Sequence, residues 1–226
     1  MPSVVAFPSI TPNVTEAGII TNSKQFVSPL TGYTQTASRK GGRWMMRMVF
    51  NNLQGSSRRV LQGYLNFMEG QVNRIETVDH SYTGALGALG VNIEVDGANQ
   101  TGTTLNIKEV SAGTSTIANF FRAGDLICFS NGTYYELKQV TSDTDLTTGT
   151  ASVPIAPEIH TSPTDAQAVE TGSFTSAITS ASWSYPVGTF MLVSPVVRWG
   201  NRPGQVSGSS SPFSDFTVEL MEDIGT

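Results

Sequence analysis

The stretch Arg43-Trp44-Met45-Met46-Arg47-Met48-Val49-Phe50 constrains the fold more tightly than any other part of this chain. Trp44, Met46, Met48 and Phe50 recur with a period of two, and Arg43 and Arg47 fall on the alternate positions. Successive side chains of an extended strand point to opposite faces, so this segment is a strand with one buried face. It requires neighbouring strands on its edges and an apolar cover on its inner face.

The cover is predicted a few residues on. Ser56-Ser57 supplies a helix start, Val60, Leu61, Tyr64, Leu65 and Met68 recur at helical spacing, and Gly70 stops the run. One helix near 57–69 is therefore expected to pack its stripe against the sheet. Residues 1 to about 42 are rich in Pro, Thr, Ser and Asn and are expected to form an extended arm with one or two strands.

Gly84, Gly87 and Gly90 then mark a linker into a β-rich block. Strands are expected at 91–95 and 103–110, followed by a hairpin from Asp125–Ser130 through Asn131-Gly132 to Thr133–Val140. Asn-Gly predicts a type I′ turn there. A strand at 150–155 is expected to end at Pro154 and Pro157. After a loose polar stretch, strands are expected at 190–199 and 216–221, separated by a flexible Gly204–Ser211 loop. The fold class is thus mainly β: a tube-like β-sandwich or barrel domain with one helix (1–90 and 158–226), carrying an inserted small β-barrel domain (91–157).

Composition narrows the function classes. Charged residues make up 14% of the 226, against about 25% in an average globular chain. Uncharged polar groups fill the gap, as they do on extracellular binding modules and on subunits buried in assemblies. The formal net charge of −5 argues against tightly held nucleic acid. The first residues lack a basic segment and a long apolar core, and no apolar run approaches the ~20 residues of a membrane span, so cytoplasmic synthesis is expected.

Catalytic and cofactor signals fail one by one. His80 and His160 have no partner base or nucleophile at a useful spacing, and Cys128 reads as a small buried hydrophobe. Asp143 and Asp145 lack the glycine and distal glutamate of a calcium loop. No phosphate loop, dinucleotide fingerprint or zinc motif occurs, so no enzyme activity, metal or cofactor is expected. Asn13, Asn99 and Asn131 head glycosylation sequons, which without a secretory signal are polar turns.

Charge distribution is the more informative signal. Arg39, Lys40, Arg43, Arg47, Arg58 and Arg59 lie within 21 residues that hold no acid, whereas Asp215, Glu219, Glu222 and Asp223 lie in a base-free C-terminal stretch. Solvated faces explain this as readily as complementary subunit edges do; on the second reading Arg39, Lys40, Arg43, Arg47, Asp215, Glu219 and Glu222 are interface residues. A sugar-stacking platform of Tyr134, Tyr135, Trp183 and Tyr185 is the alternative, as a carbohydrate-binding module for host-surface attachment.

The order of features resembles the distal tail proteins of long-tailed bacteriophages. The resemblance is carried by Ser28-Pro29-Leu30-Thr31-Gly32 with Gln35-Thr36, Gly41-Gly42-Arg43-Trp44 leading into a strand, and the helix from Arg58 to Gly70. The hairpin beginning at Ala123-Gly124-Asp125 and the closing strands Phe190-Met191-Leu192 and Phe216–Leu220 complete it. It implies a structural virion protein, a homohexameric ring at the distal end of the tail tube that joins the tube to the tip or baseplate. The implied partners are further copies of the chain, the tail tube protein and the hub and tip proteins, with genome DNA passing through the channel unbound during ejection. The arm and the Gly204–Ser211 loop are expected to order on assembly.

Overall fold

The computed structural model describes residues 2–110, 113–171, 185–202 and 213–223, leaving aside the side chains of 38, 201 and 202. The expected Gly204–Ser211 loop and Trp183 lie outside the described residues. Among the described residues the fold is mainly β with one helix and a closed barrel.

In chain order the first half contains β1 (Val4–Ala6), β2 (Val14–Val27), β3 (Thr34–Leu53), α1 (Gly55–Phe67) and β4 (Arg74–Val78). Next come β5 (Ile93–Val95), β6 (Gly102–Glu109), β7 (Ile117–Phe121), β8 (Leu126–Ser130), β9 (Tyr135–Val140), β10 (Thr144–Leu146), β11 (Thr150–Ile159) and β12 (Ala168–Glu170). The chain closes with β13 (Val187–Leu192), β14 (Trp199–Arg202) and β15 (Phe213–Glu222).

The main sheet has the order β1-β4-β13-β15-β3-β2, with β14 beside the first part of β15. As the alternation requires, Trp44, Met46, Met48 and Phe50 are all buried. They meet Phe216, Val218 and Leu220 from β15, Leu61 and Leu65 from α1, and Met68 at the helix C-cap. The helical stripe is narrower than expected, because Val60 is half exposed. The helix also starts two residues early, at Gly55, with Gln54 as an N-cap that makes no side-chain bond. At its far end Gly70 holds φ +68°, and a Cβ there would lie 2.9 Å from the Pro195 carbonyl oxygen, so only glycine fits.

The chain leaves the sheet at Val78 and returns at Val187, and these two residues are register partners. The excursion between them is a six-stranded closed barrel, β11-β6-β5-β12-β8-β9. Its sixth strand, β12, lies past the expected insert boundary at 157; three residues with one buried side chain leave no readable apolar run. β11 also runs on through Pro154 and Pro157 to Ile159 instead of stopping, with a register shift against β6. The two-stranded pair β7–β10 sends Phe120, Phe121 and Leu146 into the barrel core.

The β8–β9 hairpin forms, but with a four-residue loop. Ser130 pairs with Tyr135, and only Gly132 of the Asn-Gly pair has positive φ. The Asn131 side chain accepts from the N–H groups of Thr133 and Tyr134, an Asx turn that replaces the type I′ geometry. β8 is buried on both faces. Leu126 and Cys128 belong to the sheet core, Ile127 and Phe129 to the barrel core. One strand thus serves as a wall between two cores.

Candidate assembly surface

The arm expected before residue 42 is a long antiparallel hairpin. β2 pairs with β3 from Val14↔Val49 to Val27↔Thr34. β15 pairs with β3 only from Ser214↔Leu53 to Met221↔Met45, so beyond Met45 the hairpin continues as a two-stranded ribbon. Its loop is closed by Ser28 N–H to Tyr33 O and Gly32 N–H to Ser28 O.

The ribbon carries no charge from Gln25 to Ser38. Phe26 and Val27 are exposed, Tyr33 is 79% exposed and Leu30 94%. An isolated two-stranded ribbon is marginal in water, and its unpaired edges are templates for another chain. Exposed strands normally carry charges that blunt this tendency. Here they are missing at the tip.

At its base the ribbon is held to the barrel. Between Ile20↔Arg43 and Asn22↔Arg39 the register shifts by two extra residues in β3, a bulge in which Gly41 takes φ +108°. Gly41 N–H donates to Glu158 Oε1 (3.0 Å), and His160 Nε2–H donates to the Gly42 carbonyl (2.6 Å). The Gly-Gly pair therefore bends the strand over the barrel, where two barrel side chains staple its backbone. His160 is a structural donor.

The candidate interface residues separate into two groups. Arg39 and Lys40 are exposed on the ribbon, and Arg43 is half-buried opposite Trp44. Arg47 lies between Glu16 (3.1 Å) and Glu219 (3.9 Å) on neighbouring strands. The acidic tail is largely consumed within the chain. Asp215 Oδ1 accepts from Asn52 N–H, Asp223 pairs with Arg74, and Glu222 is fully buried. Glu222 is therefore no edge contact: its carboxylate accepts from Trp44 N–H (3.1 Å) and Leu137 N–H (2.9 Å), tying sheet to barrel. Arg47 and Glu219 bring the two charge runs together across the β3–β15 pairing.

A second charged group is hidden at the same junction. Lys138 Nζ lies 2.7 Å from Glu136 Oε2 and donates to the Glu158 carbonyl, with both side chains buried. Glu136 also accepts from the N–H groups of His160 and Thr161. Burial alone would raise its carboxyl, but the Lys138 ammonium and these hydrogen bonds outweigh it and hold the group below the ordinary glutamate value. Burial pushes Glu222 up, against the opposing pull of Lys138 and the two N–H donors.

The aromatic candidates do not form an exposed platform among the described residues. Tyr135 and Tyr185 rest against the sheet core, Tyr185 meets Tyr82 edge to face at 5.9 Å, and Tyr134 closes the β8–β9 loop. Beside them a cleft of about 420 Å³ is lined by Trp44, Asp79, Tyr82 and Gln139. Its phenol is a poor proton donor, since burial pushes Tyr82 up to about 12. Cys128 is buried, accepts from Val187 N–H, and has its thiol pKa raised by burial. No group of three His, Cys, Asp or Glu side chains able to hold a metal occurs among the described residues. Among the described residues no helix is long and apolar enough to cross a membrane.

The tip residues Phe26, Leu30 and Tyr33 escape a sequence reading based on periodicity, because a ribbon exposed on both faces has none. The readable signal is the uncharged run itself. No protein-family model matches the chain, and no curated protein matches it either.

Proposed function

We propose that the chain is a structural subunit that closes into a ring with copies of itself, in the manner of the phage distal tail proteins its feature order resembles. The observation that carries this reading is the uncharged ribbon, which leaves Leu30 and Tyr33 in solvent at the end of a sheet whose central strands are buried on their inner face. Ordering such a ribbon is favourable when a neighbour covers its apolar side chains and pairs its edge. A ring also needs a rigid subunit, and the double-cored β8 wall with the Glu222 ties supplies one.

On this reading the protein is a non-enzymatic component of a phage tail, assembled in the host cytoplasm. A hexamer lies between the tail tube protein and the hub or baseplate proteins, and DNA slides through it. The test is solution mass by light scattering across concentration, with electron microscopy of the product. Particles near six times the 24.1 kDa chain mass, lost when residues 25–36 are replaced by a two-residue Asn-Gly turn that joins the register partners Lys24 and Ala37, are expected. A monomer at every concentration that binds oligosaccharides on a glycan array would replace this reading with the carbohydrate-binding one.

A further inference from the structure

We propose that neighbouring copies join head to tail by seating the acidic Ser142–Asp145 segment of one barrel in a groove at the base of the next copy's ribbon. The inference rests on the self-assembly reading and names the contact that would produce it. The groove, of about 400 Å³, lies between ribbon and barrel. Ile19, Ala156 and Pro157 line it together with Arg39, Lys40 and Glu158, whose Oε1 accepts from Gly41 N–H. Neither cation has an ion-pair partner among the described residues.

The complement must come from elsewhere on the protein, and charge says where. Residues 91–171 hold ten Asp and Glu against three Lys and Arg, a formal −7, while the rest of the chain holds eight against ten, a formal +2. Several of the barrel acids are used internally. Asp125 accepts from three backbone N–H groups, Glu136 pairs with Lys138, and Asp165 with Lys108. Asp143, just before β10, and Asp145, within it, are exposed, and each uses Oδ1 on a backbone N–H, of Ala123 and Asn119 respectively. Their other oxygens have no partner among the described residues.

The two patches do not pair within the chain: no ion pair joins Asp143 or Asp145 to Arg39 or Lys40 among the described residues, although the segment begins beside Pro154, whose carbonyl accepts from Thr141 N–H. Both are therefore left for another copy of the chain. A contact between two different patches repeats around a ring, as a heterologous interface requires.

The test uses the full chain. Lys40→Cys and Ser142→Cys variants are mixed under mild oxidation, and a disulfide-linked dimer is expected from the mixture but from neither variant alone. The native thiol is buried and does not compete. In parallel, Asp143→Asn with Asp145→Asn keeps both Oδ1 acceptors while removing the charges. It is expected to weaken self-association roughly tenfold or more at low salt, as is Arg39→Glu with Lys40→Glu. Wild-type assembly that both double variants reproduce, with no mixed cross-link, overturns this contact and leaves the ring reading standing. A wild-type chain that neither associates nor cross-links overturns both.

Discussion

Lys138 and its two carboxylate neighbours are where single side chains matter most. Removing one partner of a buried pair leaves an uncompensated charge, so Lys138→Met is expected to cost about 3–5 kcal/mol in urea unfolding. Lys138→Met with Glu136→Gln should recover part of that loss. The two glutamates also titrate with opposite signs. Glu136 is depressed, so its stabilisation is present above the ordinary value of 4.5 and is lost as pH falls through its lower folded value. Glu222 is raised, so its ionised form costs stability at neutral pH, and acidification through its folded value relieves that cost. Stability measured from pH 7 downward should therefore keep an acid-side loss in Glu222→Gln that Glu136→Gln diminishes. Arg47 is the contrast: its pairs with Glu16 and Glu219 are solvent-screened, and Arg47→Ala should change stability by less than about 1 kcal/mol.

At the scale of elements, the hairpin divides into a packed base, a stapled bulge and a bare tip. The bulge depends on Gly41, whose φ of +108° suits no other residue. Gly41→Val is expected to cost about 1–3 kcal/mol and to raise hydrogen exchange at the ribbon, with α1 unaffected. The tip behaves oppositely. Leu30→Ser with Tyr33→Ser should leave the monomer's melting unchanged within about 0.5 kcal/mol, because both side chains are already in solvent. The same double variant should abolish assembly, as read by light scattering. A variant that assembles normally would remove the tip from the interface.

Across the whole molecule, sheet and barrel are joined by shared side chains more than by a linker. Cys128 and Leu137 from the barrel enter the sheet core, Trp44 Nε1–H donates to the Leu137 carbonyl (2.8 Å), and Glu222 reaches from β15 to the same strand. The two bodies should therefore unfold together. A single cooperative urea transition, coincident by tryptophan fluorescence and far-UV circular dichroism, is expected; two separated transitions would show that this junction is weak.

Much of this architecture was legible locally. The alternation of 43–50 and the stripe of α1 each encode a face, because burial periodicity is a property of neighbours two to four residues apart. The segment before residue 42 was legible only as an extended arm with one or two strands; its pairing into a long ribbon with an uncharged tip came from the structure. What the tertiary structure decided was partnership between distant residues. Tyr135–Val140 alternates as if Glu136 and Lys138 faced solvent, yet barrel closure turns that face inward and pairs them. Glu222 continues the core parity of Phe216, Val218 and Leu220, and its burial depends on N–H groups 178 and 85 residues away in sequence. The basic run and the acidic tail looked like two edges until register set Arg47 beside Glu219. Local sequence fixes which side of a strand is apolar, but only the closed topology determines what each side meets.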